Sequence, residues 1–144
     1  LSPAQGAAGF VGDEVVAGKE FNPQVTSDDI FRAETEILRA LAEESSCVIA
    51  GRSGFFVLKD QPNKVDIFIT ASREHRIERT MRKQNLTREL AEEVLNKVDK
   101  ARENYIQRYA NTSRYDARNY SLTLNVDDLS EDEAVEVILK YLKK

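Results

Sequence analysis

Ser46-Cys47-Val48-Ile49-Ala50-Gly51-Arg52-Ser53 is the stretch on which the fold turns. Cys47 to Ala50 are four small or β-branched apolar residues that follow an amphipathic run and stop at a glycine. That pattern predicts a strand buried on both faces and ending at a tight turn. In open α/β sheets, ligands bind beyond the carboxyl ends of parallel strands, so Arg52 would be held by rigid backbone and aimed into a crevice. An anion suits a guanidinium so placed. The plainer alternative is an arginine that caps the turn or pairs with a surface carboxylate.

Upstream, Thr26, Ser27 and Asp28 offer helix N-caps, with Asp29 three residues after Thr26 as in a capping box. Ile30, Ala33, Ile37, Leu38, Leu41 and Ala42 then recur at three- and four-residue spacing, a single apolar stripe that would pack on the sheet and deliver the chain to Cys47. Residues 1–25 carry Gly6, Gly9, Gly12, Gly18, Pro3 and Pro23 without sustained periodicity and read as a loop or loosely ordered arm. Gly6 to Gly12 lacks both a preceding strand and a Gly-Lys-Ser/Thr ending, which makes it weak as a phosphate loop.

Downstream, Ser53 to Leu58 reads as a short helix or as extended chain. Val65 to Thr70 predicts a second strand, and the short crossover from Cys47 to Ala50 suggests that the two form a parallel pair. Ser72 can cap a helix to about Gln84, whose Arg76, Arg79 and Arg82 lie three apart and share a face. Asn85-Leu86-Thr87 breaks that helix, and Thr87 caps another to around Tyr109. Asn111 to Asn119 is polar and irregular. Ser121 to Val126 alternates like a half-covered strand, and Ser130 with Glu133 opens a terminal helix by a capping box. The order α-β-(α)-β-α-α-β-α is that of an α/β protein, a three-layer αβα fold around a parallel sheet, with residues 26–144 forming one domain.

Composition narrows the function. A chain of 144 residues has room for one core of ordinary size, and 32% charged with 41% apolar residues fits a globular protein. No apolar run is long enough to span a bilayer and no signal-peptide pattern opens the chain, so a cytoplasmic protein without a membrane partner is expected. The single cysteine, Cys47, cannot form an internal disulfide and reads as a small core filler. A net charge of −4 argues against nucleic acid as a partner. The charge is uneven, however: residues 13–44 hold nine acids against three bases, whereas Arg73, Arg76, Arg79, Arg82 and Lys83 face only Glu74 and Glu78. Such a cluster suits a compact anion such as a nucleotide phosphate. His75, without neighbouring ligand residues, is a poor metal site, and no metal-binding residues are expected.

Phe31-Arg32-Ala33-Glu34 with the helix behind it, Cys47 to Arg52, Val65 to Arg79, and Asp99 to Tyr105, taken in that order, resemble the cytidylate kinase-like family of nucleoside monophosphate kinases over residues 30–143. The resemblance implies a P-loop kinase fold with a lid-like helical segment near residues 85–118, and phosphoryl transfer from ATP, with Mg²⁺, to a nucleoside monophosphate. On this resemblance Arg52 and Ser53 would bind the acceptor. Arg102, Lys97 and Arg108 would act on the transferring phosphate from the lid helix, with Lys100 beside them, and Arg76 and Arg79 would border the donor. In-line transfer needs charge-neutralising donors around the phosphoryl group and exclusion of water when a lid closes, which forked guanidiniums provide better than lysines.

The bland alternative for Lys97, Lys100 and Arg102 is a solvated helix face paired locally with Asp99 and Glu103, and for Arg76, Arg79 and Arg82 the same with Glu78. Tyr105 and Tyr109, four apart, read as packing. The sequence also departs from the family. It has no strand running into a Gly-rich phosphate loop, and Ala50 and Ser53 stand where typical cytidylate kinases place acids around Arg52. The expectation is a C-terminal part of a longer protein whose phosphate loop lies outside these 144 residues. The sheet's open edge would then need a partner chain, a homo-oligomer among them, or would aggregate. The competing function is a non-catalytic domain that keeps the scaffold and binds a nucleotide or a protein.

Overall fold

Side-chain caps set the helix boundaries where the sequence put them. Thr26 opens α1 (Ser27–Glu44): its Oγ1 accepts from the Asp29 N–H at 3.2 Å while Asp29 Oδ2 accepts from the Thr26 N–H at 3.1 Å. This reciprocal pair satisfies donors that the helix itself leaves orphaned. The structure, a computed structural model, describes residues 25–51 and 53–143. The arm read over residues 1–25 therefore falls, Val25 excepted, outside the described residues, and so does Arg52. Two compact units part between Lys64 and Val65, within the span read as one domain.

In the first unit, α1 buries Thr35 and Leu38, and the chain turns at Gly51 and Ser53 into the single-turn α2 (Gly54–Val57). Arg39 Nε donates to the Val57 carbonyl at 3.2 Å and Gln61 Nε2 to the Ala42 carbonyl at 3.4 Å, so α2 and the turn after it are tied to α1. The ambiguity over Ser53 to Leu58 is thereby resolved in favour of helix.

The second unit holds β1 (Ile67–Thr70), α3 (Arg73–Gln84), α4 (Arg88–Ala110), a 3₁₀ turn at Ala117–Asn119, β2 (Leu122–Asn125) and α5 (Glu131–Leu142). β1 and β2 are parallel, with Ile67 opposite Leu122 and Thr70 opposite Asn125. The pair is extended at both ends: Asp66 O accepts from Ser121 N at 2.7 Å, Thr70 O from Val126 N at 3.0 Å, and Asp127 Oδ1 from Ser72 N at 2.8 Å. Ser72, Thr87 and Ser130 cap α3, α4 and α5 through their hydroxyls, and Ser130 with Glu133 closes the expected capping box. Asn85 ends α3 with a left-handed φ of 52°, a conformation asparagine tolerates because its short side chain bonds locally. α3 and α4 form a hairpin around Ile77, Ala91 and Leu95, with Met81 and Leu86 packed against them.

The stretch expected to form the buried strand does not form one. Among the described residues Cys47 to Ala50 is not a strand, and the parallel pair is β1 with β2 rather than Cys47–Ala50 with Val65–Thr70. Its burial is not two-sided either, since Cys47 and Ile49 are half-buried while Ala50 and Val48, the latter 69% exposed, face out. Cys47 is thus no core filler. The physical reason is that a short apolar run records a preference for β structure, whereas a strand exists only where a neighbour meets its N–H and C=O groups, and no described residue does so here. Among the described residues the architecture is a helix-rich α/β fold with a small, two-stranded parallel sheet. Among the described residues no helix is long and apolar enough to cross a membrane.

Candidate functional site

In the first unit the distinctive backbone geometry lies at the turn into α2. Gly51 has φ 79° and Ser53 has φ 56°, ψ 39°, so left-handed residues bracket Arg52 on both sides. Gly51 adopts this conformation at little cost, but Ser53 pays about 1 kcal/mol for the Cβ clash. Ser53 is also buried, and its Oγ finds no hydrogen-bond partner among the described residues. Strain and an unsatisfied hydroxyl on one residue are features that tight functional turns retain.

In the second unit a cluster of guanidiniums gathers about Asp99. Arg76, projecting from α3, forks onto Asp99 of α4 with Nη2–Oδ1 at 2.6 Å and Nη1–Oδ2 at 2.8 Å. That pair holds the Arg76 guanidinium above its ordinary pKa. Arg114, just beyond α4, places Nη1 3.9 Å from the same Asp99 Oδ1. Arg102, one turn along α4 from Asp99, is half-buried; burial, and then the positive charge of Arg114, pull its pKa below the ordinary value. Beneath Arg114 lies an aromatic bed: its guanidinium carbon is 5.8 Å from the Phe68 ring centroid and 5.3 Å from that of Tyr115, and Tyr120 stacks on Phe68 at 4.9 Å. The Tyr120 hydroxyl donates to the Arg114 carbonyl at 2.6 Å, and burial pushes its phenol pKa up.

Two comparisons give this arrangement a context. A family model described as the cytidylate kinase-like family matches residues 5–128. The chain belongs to that family. Among solved structures, the crystal structure of an uncharacterized protein from Eubacterium ventriosum is similar at 27% identity and a TM-score of 0.77, covering 83% of this chain and 75% of that one. No curated protein matches.

The residues implied by the likeness to the cytidylate kinase-like family do not all gather. At about 100° per residue, Arg102 lies roughly 140° around α4 from Lys97 and about 120° from Arg108. Lys97, Lys100 and Arg108 are accordingly exposed, with Arg108 over the Tyr109 ring at 5.4 Å, while Arg102 shares the half-buried face with Asp99. Tyr105 and Tyr109 pack edge to face at 4.9 Å. Arg76 and Arg79 diverge as well, because Arg79 reaches Glu131 of α5 at 3.0 Å. Positions three apart drift by about 60° around a helix, enough to address different neighbours. Sequence reasoning took Asp99 for a local ion-pair partner and passed over Arg114 altogether. The first had a signal, since Asp99 and Arg102 are three apart; the second lay in a segment without periodicity.

Proposed function

We propose that this member of the cytidylate kinase-like family transfers a phosphoryl group from ATP to a nucleoside monophosphate on a P-loop kinase scaffold. The observation that carries the reading is the family match over most of the chain, joined to a half-buried arginine on the α4 face where the family resemblance puts a phosphate-handling guanidinium. By the family resemblance, Arg52 and Ser53 bind the acceptor phosphate. Arg102 meets the transferring phosphate, and Arg76 keeps Asp99 and hence the α4 face in register through its fork. Lys97, Lys100 and Arg108, on the open face of α4, add long-range attraction for an anionic substrate, and Arg79 borders the donor.

What the described residues offer to ATP is guanidinium donors; among them no three His, Cys, Asp or Glu side chains gather to hold a metal. Bound ATP, with the Mg²⁺ it carries, supplies the phosphoryl group. The chain's part is to orient the two phosphates, neutralise charge that spreads over the oxygens during transfer, and keep water out.

The test is a coupled assay with ATP and CMP, UMP or AMP as acceptor. Turnover with one of them, falling about 100- to 1,000-fold in Arg102→Ala, is the expected result. Turnover that survives Arg102→Ala unchanged overturns the role of Arg102. Saturable CMP binding without turnover replaces the kinase with a non-catalytic nucleotide-binding domain, a reading that absence of a Gly-Lys-Ser/Thr loop from the complete reading frame would favour.

A further inference from the structure

We infer that Arg114 is a phosphate ligand, a second forked guanidinium alongside Arg102, supplied by the segment that follows α4. The inference rests on the reading that this unit handles a nucleotide phosphate, and it adds a residue that neither helical periodicity nor the family resemblance points to. Arg114 is fixed from both sides of its backbone, its N–H donating to Glu103 Oε2 at 3.3 Å and its carbonyl accepting from the Tyr120 hydroxyl at 2.6 Å. The side chain is only 17% exposed. Its Nη1 is buried and has no hydrogen-bond partner among the described residues.

The carboxylates facing Arg114 are already committed. Asp99 gives both oxygens to Arg76, and at 3.9 Å it is too far from Arg114 Nη1 for a hydrogen bond. Glu103 accepts from Gln107 Nε2 at 3.1 Å and from the Arg114 backbone. The Phe68 and Tyr115 rings attract the cation but offer no in-plane acceptor for its N–H groups. A guanidinium held this dry, with a donor unmet, is costly unless an oxygen anion reaches it. The aromatic bed restricts its rotation, so the fork is preorganised for a compact oxyanion with several acceptor oxygens, which is what a phosphate is.

The experiment titrates the protein with pyrophosphate and with CMP, following the arginine Nε–Hε resonances by NMR and the affinity by calorimetry. The expected results are a shifted Arg114 resonance, a loss of affinity of about 10- to 100-fold in Arg114→Gln, and an intermediate loss in Arg114→Lys, which keeps the charge and the stem but not the fork. Arg118→Gln serves as a charge control, because Arg118 is 90% exposed and paired with Asp116; it should bind as the unaltered protein does. If Arg114→Gln fails to fold, Arg114→Lys and the resonance shift decide the matter. Unaltered protein that binds either probe, with both Arg114 variants binding equally well, overturns the assignment and leaves the nucleotide reading standing. Failure of the unaltered protein to bind either probe overturns the nucleotide reading and the Arg114 assignment with it.

Discussion

Two arginine–carboxylate networks tie α3 to α4, and they differ in what they leave over. On the more exposed side of the hairpin, Arg88 forks onto Glu74 at 2.7 and 2.8 Å and reaches Glu92 at 3.3 Å, one cation between two acids. About half of each side chain is in water. Deeper in the same hairpin, Arg76 makes the same fork onto Asp99, but Arg114 and Arg102 crowd the vicinity and all four side chains are at least partly desolvated. The fork is the same; only the balance of charge and the access of water separate a fastening from a candidate site. Bond geometry alone does not tell the two apart.

The comparison can be pressed from the strongest effect to the weakest. Ile77→Ala empties the apolar seam that both networks flank, and with Ile77 2% exposed a loss of about 2–5 kcal/mol in urea unfolding is expected. A change well under that range would mean that the seam does not hold the hairpin. Asp99→Ala removes the inner carboxylate and leaves Arg76 and Arg114 without it, at a cost of about 1–3 kcal/mol. The double variant with Arg76→Gln should recover part of that loss, because the orphaned guanidinium goes too; no recovery would argue that the cluster is not charge-strained.

Glu74→Gln should change stability little, and the change should vanish in about 1 M salt, where exposed charges are screened. A salt-independent effect would erase the contrast between the two networks. The smallest effect is a titration. The Arg118 side-chain fork, followed by the Arg118 backbone N–H, holds the Asp116 carboxyl at about 2. A lowered carboxylate pKa in the folded protein means a contribution that is fully present at neutral pH, declines as pH falls below the ordinary carboxylate range, and is gone once pH passes below about 2. Carboxyl ¹³C shifts should show this midpoint, and Arg118→Gln should let it rise.

The starts of the four long helices were legible residue by residue, whereas the single-turn α2 was not. Thr26, Ser72, Thr87 and Ser130 each accept from a backbone N–H three positions along the same segment, so chain order alone contains the information. β2 was legible for a similar reason, its alternation matching its burial. Cys47 to Ala50 failed because a strand is a relation between two stretches, and its apolar run was read as if it could supply both. The candidate site was half legible. Arg102 was singled out by the family resemblance, with Asp99 entering only as a local ion-pair partner, whereas Arg114 lies in a polar segment held by Glu103 and Tyr120, residues it meets only after the chain has turned back.

By itself, the sequence determined where the four long helices of the described chain begin, where their apolar stripes lie, and membership of the cytidylate kinase-like family. All of these rest on local hydrogen bonding or on residue order. The tertiary structure alone decided which arginines are satisfied and which are not. That depends on where the few carboxylates and rings fall in space, because a guanidinium's charge is present in any fold while its partner and its contact with water are not.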